Sequence, residues 1–415
     1  CAAIVRRGFK DTRGNVKVTI QNDLNALAVL ALVGAGREEY GPVVAEYAHG
    51  VAAYQPEPGF PESWEYAYHT LFLAEYALST KDQAVMPGLQ RSALAIAGGA
   101  SLVGTWGHRF AQPNGNLYGY GCMNQPGIPL TLDMVLAREA GVKGPELDNT
   151  IAKASGFLRQ WVNKGAIPYG DHEPWPWHDD NGKCSGAAVL FDLLGDREAA
   201  SFYSRMATAA YSERESGHTG NFFNIFWALL GVSRGGPGAT AAYFKETSWY
   251  YDMARGWDGR VDYVGFIGGD SYDGWDCTGA YLLGYALPLK SLYLTGRRPG
   301  AAPTLSPEEV ANTIAAAVRR PCVNWPSGEN RCTWRARARM SAAISRRISS
   351  SRDARDRTRA TVAAVAKIAT MPRNVTRVLM TSPSACGGPG GGGGTRSGTS
   401  RGRRPRRGRG RPVRG

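Results

Sequence analysis

The chain has 415 residues and a formal net charge of +14, but the charge is unevenly held. Residues 1–318 carry 25 Lys+Arg against 32 Asp+Glu, and residues 319–415 carry 24 against 3. That length buries a large core, no stretch reaches the roughly 18 consecutive apolar residues of a spanning helix, and the seven Cys lack the spacing of a disulfide framework.

Cys1 is followed by Arg6 and Arg7, which does not read as a signal peptide. Residues 1–21 read as a lead-in whose start is cut, with a lipidated Cys1 as the alternative. The compartment therefore stays open, export included.

From residue 22 onward, apolar and amphipathic runs alternate. Gln21, Asn22 and Asp23 suit a helix start before the apolar run 24–34. A second helix runs from Pro42 to Tyr54, a third from Pro61, and a fourth over 83–104. The Gly- and aromatic-rich loop 105–125 precedes a fifth at 126–140 and a sixth at 145–164. The seventh to tenth are expected at 184–194, 196–213, 219–231 and 238–256. The eleventh is WDCTGAYLLGYALPLKSLYL, 275–294. Ser306, Pro307 and Glu309 look like an N-cap, a first-turn proline and a capping-box acid, opening a twelfth. Strand signals are few.

The odd-numbered runs each follow a longer loop and are apolar on most faces, FFNIFWALL at 222–230 above all. The even-numbered runs carry charge on one side, as Asp148, Lys153 and Arg159 do in the sixth. Inner helices wrapped by outer ones follow. The expected fold is all-α: about six hairpins over residues 22–318 closing into an (α/α)6 toroid, with an open helical solenoid as the alternative.

Residues 319–415 fit no such ring. They are Arg-, Ala-, Ser- and Thr-rich, then Gly- and Arg-rich, and are expected to be disordered. One reading is a basic tail that binds nucleic acid through phosphates. The other is a GC-rich gene read out of frame. The abrupt change inside the twelfth run favours the second, so nucleic acid is not an expected partner unless the tail is genuine.

Candidate chemistry gathers in the loops before the inner runs. Tyr169, His172, Trp175, Trp177, His178, Asp179 and Asp180 share one loop; Glu213, Glu215 and His218 lie in the next; Tyr263, Tyr272, Trp275 and Asp276 lie in a third. Flat aromatic faces with carboxylates and His are what glycan cleavage requires, a stacking platform beside a positioned acid and base. Asp179, Asp180, His218 and Asp276 are the catalytic candidates, and Tyr169, His172, Trp175, Trp177, His178, Tyr263, Tyr272 and Trp275 would hold substrate. The same groups would cap helices in an inactive protein, since Asp179 and Asp180 precede a helix N-terminus. Trp64, Glu65, Trp106, His108, Tyr118, Tyr120 and Asn124 are weaker candidates; His69 reads as a satisfied core histidine and His49 as incidental. Gly115, Gly119 and Gly121 follow no strand and form no dinucleotide fingerprint.

Cys184, His218 and Cys277 open three successive inner runs, and two Cys with a His is a zinc-binding set, Asp276 or Asp180 completing it. The competing reading is packing, because each Cys stands two residues before a Gly. The cofactor is therefore none or zinc.

The blocks HDDNGKCSGAAVLFDLLGDREAASFYSRMATAAY, GHTGNFFNIFWALLGV and WDCTGAYLLGYALPLK resemble an uncharacterised bacterial domain family whose α/α toroid is similar to that of terpenoid cyclases and protein prenyltransferases. The likeness covers roughly 20–318 and is most specific over 165–298. It implies a toroid with a central ligand cavity and no established reaction; in fuller members helical repeats follow the toroid, so the basic tail is a departure. His178-Asp179-Asp180-Asn181 only approximates the acidic motif of squalene-hopene cyclases. Cys184-Ser185-Gly186 and Gly217-His218-Thr219-Gly220 distantly resemble lanthionine-cyclase motifs. Three functions stay in play: acid–base cleavage of a glycan or similar extended substrate, a zinc-dependent transferase or cyclase, and a non-catalytic glycan- or peptide-binding scaffold.

Overall fold

Two kinds of helix surface alternate along the chain in the computed structural model, which describes residues 1, 4–5, 23–55, 62–119, 121–174, 178, 181–212, 222–263 and 276–318. Among the described residues there are twelve α-helices and no β-strand, only isolated bridges such as Glu62 with Arg109. The odd-numbered helices are α1 (Asp23–Ala35), α3 (Ser63–Thr80), α5 (Asn124–Ala140), α7 (Lys183–Leu194), α9 (Phe222–Val232) and α11 (Thr278–Tyr285). The even-numbered ones are α2 (Gly41–Ala53), α4 (Met86–Gly98), α6 (Pro145–Arg159), α8 (Arg197–Ala209), α10 (Pro237–Met253) and α12 (Pro307–Val318).

The odd helices are buried on most faces, α11 least completely, with Tyr285 exposed. α5 is buried without a break from Asn124 to Ala137, and α7 from Lys183 to Leu193. A helix without a polar face must have neighbours on every side. The even helices bury one stripe: in α8, Ala199, Ala200, Tyr203, Ser204, Ala207 and Thr208 point inward at helical spacing. Each fully buried Leu or Phe contributes roughly 1.5–3 kcal/mol.

The odd helices pack in sequence. α1 meets α3, α3 meets α5, α5 meets α7, α7 meets α9, α9 meets α11, and α11 returns to α1. This closed cycle of neighbours is compatible with the expected ring. Each odd helix also pairs with the even one that follows, except the last pair, which is joined through the long segment 286–306. Five of the six even helices carry Pro in their first turn (Pro42, Pro87, Pro145, Pro237, Pro307), where a missing N–H costs nothing. α8 starts differently, with Asp196 accepting the Ala199 N–H at 3.0 Å. The expected capping box is present at α12: the Ser306 N–H donates to Glu309 Oε2 at 2.8 Å, and the Glu309 N–H to Ser306 Oγ at 3.2 Å.

Several helices are shorter than expected, α4, α6 and α11 among them. α4 stops at Gly98, and Leu102 and Val103 beyond it are exposed, so apolar character there did not mean helix. α6 stops at Arg159, the residues to Lys164 forming turns. α11 ends at Tyr285, because Pro288 cannot donate to a continuing helix and the chain turns through a short 3-10 segment, Leu287–Leu289. No described helix is long and apolar enough to cross a membrane. The expected lead-in over 1–21 and the basic tail fall largely outside the described residues.

The segment after α11 is held by a buried charge network. Arg234, just past α9, donates from Nη2 to the carbonyls of Tyr293 (3.0 Å) and Leu294 (2.9 Å). Its Nε lies 3.3 Å from Asp192 Oδ2 of α7, an ion pair without hydrogen-bond alignment. The N–H groups of Tyr293 and Leu294 donate in turn to Glu75 of α3, at 3.0 and 2.7 Å. Asp192 also accepts the Ala302 N–H at 2.9 Å. Replacing Arg234 by Met would leave two buried carboxylates without their cation, and a loss of about 3–5 kcal/mol is expected in urea denaturation. Arg205→Met, which removes a half-exposed pair with Glu309, is expected to change stability by less than about 1 kcal/mol. Equally small losses in both variants would mean the network does not hold the fold.

Candidate functional site

Connections from odd to even helices are mostly short, whereas those from even to odd helices are long, and the long ones are tied together at the odd-helix starts. The Ser63 N–H at the start of α3 donates to the His108 carbonyl at 2.8 Å. The Met123 N–H donates to the Trp106 carbonyl and the Asn124 N–H to the Tyr169 carbonyl, both at 2.8 Å. The Asn124 amide reaches the carbonyls of Pro168 (3.0 Å) and Gly170 (2.7 Å), so α5 is pinned to the loop before α7. Gln125 Nε2 donates to the Asn181 carbonyl at 3.1 Å. Gly182 follows, so close to α9 that an added Cβ would lie 2.7 Å from the Phe223 carbonyl and 3.2 Å from Asn224 Cα. The starts of α3, α5, α7 and α9 thus form one hydrogen-bonded, close-packed layer, called the mouth below.

Aromatic rings cross this layer. Trp64 of α3 stacks on Phe223 of α9, with ring centroids 5.2 Å apart and planes at 26°. Tyr68 stacks on the same Phe223 at 6.0 Å and meets Phe226 edge-on at 5.7 Å. α3 and α9 are three steps apart in the cycle, so these side chains meet across its middle. Trp64 remains half-buried, and its Nε1–H donates to His108 Nδ1 at 3.3 Å, which assigns the imidazole proton of a neutral His108 to Nε2.

Beside the rings lie buried polar groups with spare bonding capacity. Asn224 is 1% exposed, and neither its Oδ1 nor its Nδ2 has a partner. Gln125 Oε1, 4% exposed as a residue, also lacks one. Pro129 withholds the helical N–H that the Gln125 carbonyl would otherwise receive. Native proteins rarely leave such groups unpaired without a water or ligand to complete them. His69 of α3 is a core histidine, as expected, but only half satisfied. Its Nδ1 bonds the Glu65 carbonyl at 2.9 Å, which places the proton there and leaves the buried Nε2 lone pair without a partner. Burial pushes its pKa down to about 4. Asp133 of α5 is fully buried with neither oxygen bonded, and burial holds it protonated, well above the usual carboxylate range.

Of the expected substrate-binding residues, Tyr169 and His178 are half-buried and His172 is exposed, its carbonyl accepting the Trp161 Nε1–H at 3.2 Å. Tyr263 is buried, at 2% exposure. Asp276 accepts the Thr278 N–H at 2.9 Å, the helix-start role that competed with catalysis. Trp175, Trp177, Asp179, Asp180, His218, Tyr272 and Trp275 lie outside the described residues. Cys184 is fully buried, and its sulfur receives the Ile167 N–H at 3.4 Å. Burial pushes the Cys277 thiol well up, and the charges of Asp276 and Asp262 add to that. A Cβ on Gly186 would lie 2.8 Å from Ile128 Cγ2, and one on Gly279 would lie 2.6 Å from Ala28 Cα, so both Cys-x-Gly sequences serve close helix approach. Among the described residues no three His, Cys, Asp or Glu side chains are grouped to hold a metal.

Asn224 and Gln125 were not singled out from sequence. Asn224 had a legible signal: it is the one polar residue in the run FFNIFWALL.

The sequence profile of DUF6288, a domain of unknown function, matches residues 1–296, and the chain belongs to that family. No curated protein and no solved structure matches it.

His69 gives this region a measurable pH dependence. It is neutral in the fold, whereas the unfolded chain takes up a proton near its ordinary pKa of about 6.5. Stability is therefore lost as pH falls from about 6.5 to about 4, by about 3 kcal/mol in all. His69→Gln is expected to remove that part of the slope in urea denaturation across this range. Identical slopes in the two proteins would show that His69 is not held neutral.

Proposed function

We propose that this DUF6288 chain is an α/α toroid of six hairpins whose mouth binds an extended, hydroxyl-rich ligand such as a glycan and cleaves it by acid–base chemistry. The observation that carries the reading is Asn224, a buried amide with a donor and an acceptor both unused, set beside Gly182 in the layer that includes Gln125. Paired donor and acceptor groups match sugar hydroxyls, which both give and accept hydrogen bonds. The half-buried Trp64 ring, backed by Phe223, supplies a flat apolar face of the kind on which sugar rings stack. Because α3 and α9 meet across the middle, the ligand lies over the mouth rather than threading a channel.

Asp179 and Asp180, in the loop before α7, and His218, in the loop before α9, are the proposed acid and base, since both loops lead into the layer that holds Asn224. One group protonates the leaving oxygen while the other activates water or attacks the sugar. Asp276 is less suited, because it is committed to the Thr278 N–H. The zinc-dependent transferase or cyclase draws less support, since Cys184 accepts the Ile167 N–H and both Cys-x-Gly sequences are accounted for by close helix packing. Metal analysis of the purified chain is expected to find far less than one zinc per molecule; a full equivalent lost on Cys184→Ser would restore that reading.

The decisive variant is Asn224→Leu. An unpaired buried amide costs about 1–3 kcal/mol, so its replacement by an apolar side chain is expected to stabilise the fold while weakening oligosaccharide binding at least about tenfold. Tryptophan fluorescence titrated with cello-, xylo- and chito-oligosaccharides reads the binding. Asp179→Asn, Asp180→Asn and His218→Ala are expected to retain binding and lose release of reducing ends. Binding without any release would assign the scaffold function, and no binding to any sugar would end the glycan reading.

A further inference from the structure

A cleft lies on the even-numbered helices α2 and α4, and its lining includes none of the mouth residues. α2 and α4 pack so closely that a Cβ on Gly88 would collide with the Ala52 backbone. Above that contact, the small side chains of Ala52, Ala53, Ala84 and Pro87 leave a cleft of about 390 Å³. Its polar lining is His49, Gln55 and Arg91, and no carboxylate is among the lining residues.

The two basic side chains are held in place from behind. His49 Nε2 lies 2.8 Å from Asp82 Oδ2. Asp82 is itself fixed, accepting the Tyr76 hydroxyl at 3.0 Å and the Ala84 N–H at 2.9 Å. With Nε2–H directed at a carboxylate, the imidazole orientation is set, as in other Asp–His pairs. Arg91 donates from Nη2 to the carbonyls of Ala52 (2.5 Å) and Tyr54 (3.4 Å) at the end of α2. That clips one edge of the guanidinium and leaves its Nε and Nη1 hydrogens unused. Pro87 and Gly88, in the first turn of α4, line the cleft, and that turn continues from a short 3-10 turn, Gln83–Val85, capped by Asp82. A half-used guanidinium beside an oriented imidazole, which donates from Nδ1 when protonated, favours a compact oxyanion. The volume falls within the range of small-molecule pockets, about 300–1,000 Å³, and the alanine and proline walls give an organic body something to rest on.

We propose that the α2–α4 cleft binds a small phosphomonoester, its phosphoryl group held by Arg91 and the protonated His49 imidazole and its organic portion against Ala53, Ala84 and Pro87. Free phosphate shares the charged head and lacks the body, so the two are distinguishable.

The test is calorimetric titration of the full chain with glycerol 3-phosphate, inorganic phosphate and glycerol. Glycerol 3-phosphate is expected to bind at least about tenfold more tightly than phosphate, and glycerol not to bind. Arg91→Gln and His49→Gln should each weaken glycerol 3-phosphate about tenfold or more. Arg91 also closes the end of α2, so a second variant keeps every charge: Ala53→Phe, at an exposed position on the rim, fills the cleft and should abolish binding while circular dichroism stays unchanged. Absence of binding by glycerol 3-phosphate, phosphate binding as tightly as the ester, or full affinity in Ala53→Phe would each overturn the proposal.

Discussion

A buried cation cannot be left uncompensated, and Arg234 imposes that constraint on one side of the molecule. Its side chain is 6% exposed, and it reaches Asp192 of α7 and the carbonyls of Tyr293 and Leu294. The peptides that supply those carbonyls give their N–H groups to Glu75 of α3. Burial pushes Glu75 up to about 7 even against those donors and the nearby guanidinium, so desolvation is the largest influence on it. Arg297 adds a bond to the Leu78 carbonyl at 3.3 Å. Side chains of α3 and α7 and the residue run after α9 are thereby fixed to one irregular segment, which is why 286–306 holds its course with little secondary structure of its own.

The mouth is built on the opposite policy. Around Arg234 the carboxylates of Glu75 and Asp192 and the carbonyls of Tyr293 and Leu294 are all partnered; at the starts of α5 and α9, Gln125 and Asn224 keep unused capacity. Stability alone would favour apolar residues at both positions. Side chains that cost stability where they stand are candidates for function, and these two stand where the loops from three directions are already tied together. Asp133 shares the same expense without a bonded neighbour to explain it.

Much of the fold was legible because burial writes itself into composition. An odd helix with apolar residues on all faces, as at 222–230, has to be surrounded, and an even helix with Asp148, Lys153 and Arg159 along it has to face water. The capping box at Ser306 and the first-turn prolines placed helix starts within a few residues. Ends were harder: Leu102 and Val103 look like helix and are exposed loop, and Pro288 stops α11 well before its apolar run ends. The partners of Arg234 lie 42 to 159 positions away, so no local pattern announces them. At the site, the loop aromatics and acids drew attention by number, whereas Asn224 and Gln125 are ordinary residue types whose meaning lies in what fails to touch them. The Cys-x-Gly sequences illustrate the reverse, a suggestive spelling with a packing cause.

The contact of α11 with α1, where Gly279 lies against Ala28, also governs the order in which the chain becomes safe. The two residues are about 250 positions apart, and synthesis at roughly 5–20 residues per second separates their appearance by on the order of 10–50 s. During that interval α1, buried from Ala26 to Leu32 in the finished protein, has its α3 side covered early and its α11 side bare. A closed cycle of helices defers its last interface until the final member of the cycle has been made. Chaperone occupancy on a nascent chain of this kind should therefore persist until α11 has left the ribosome.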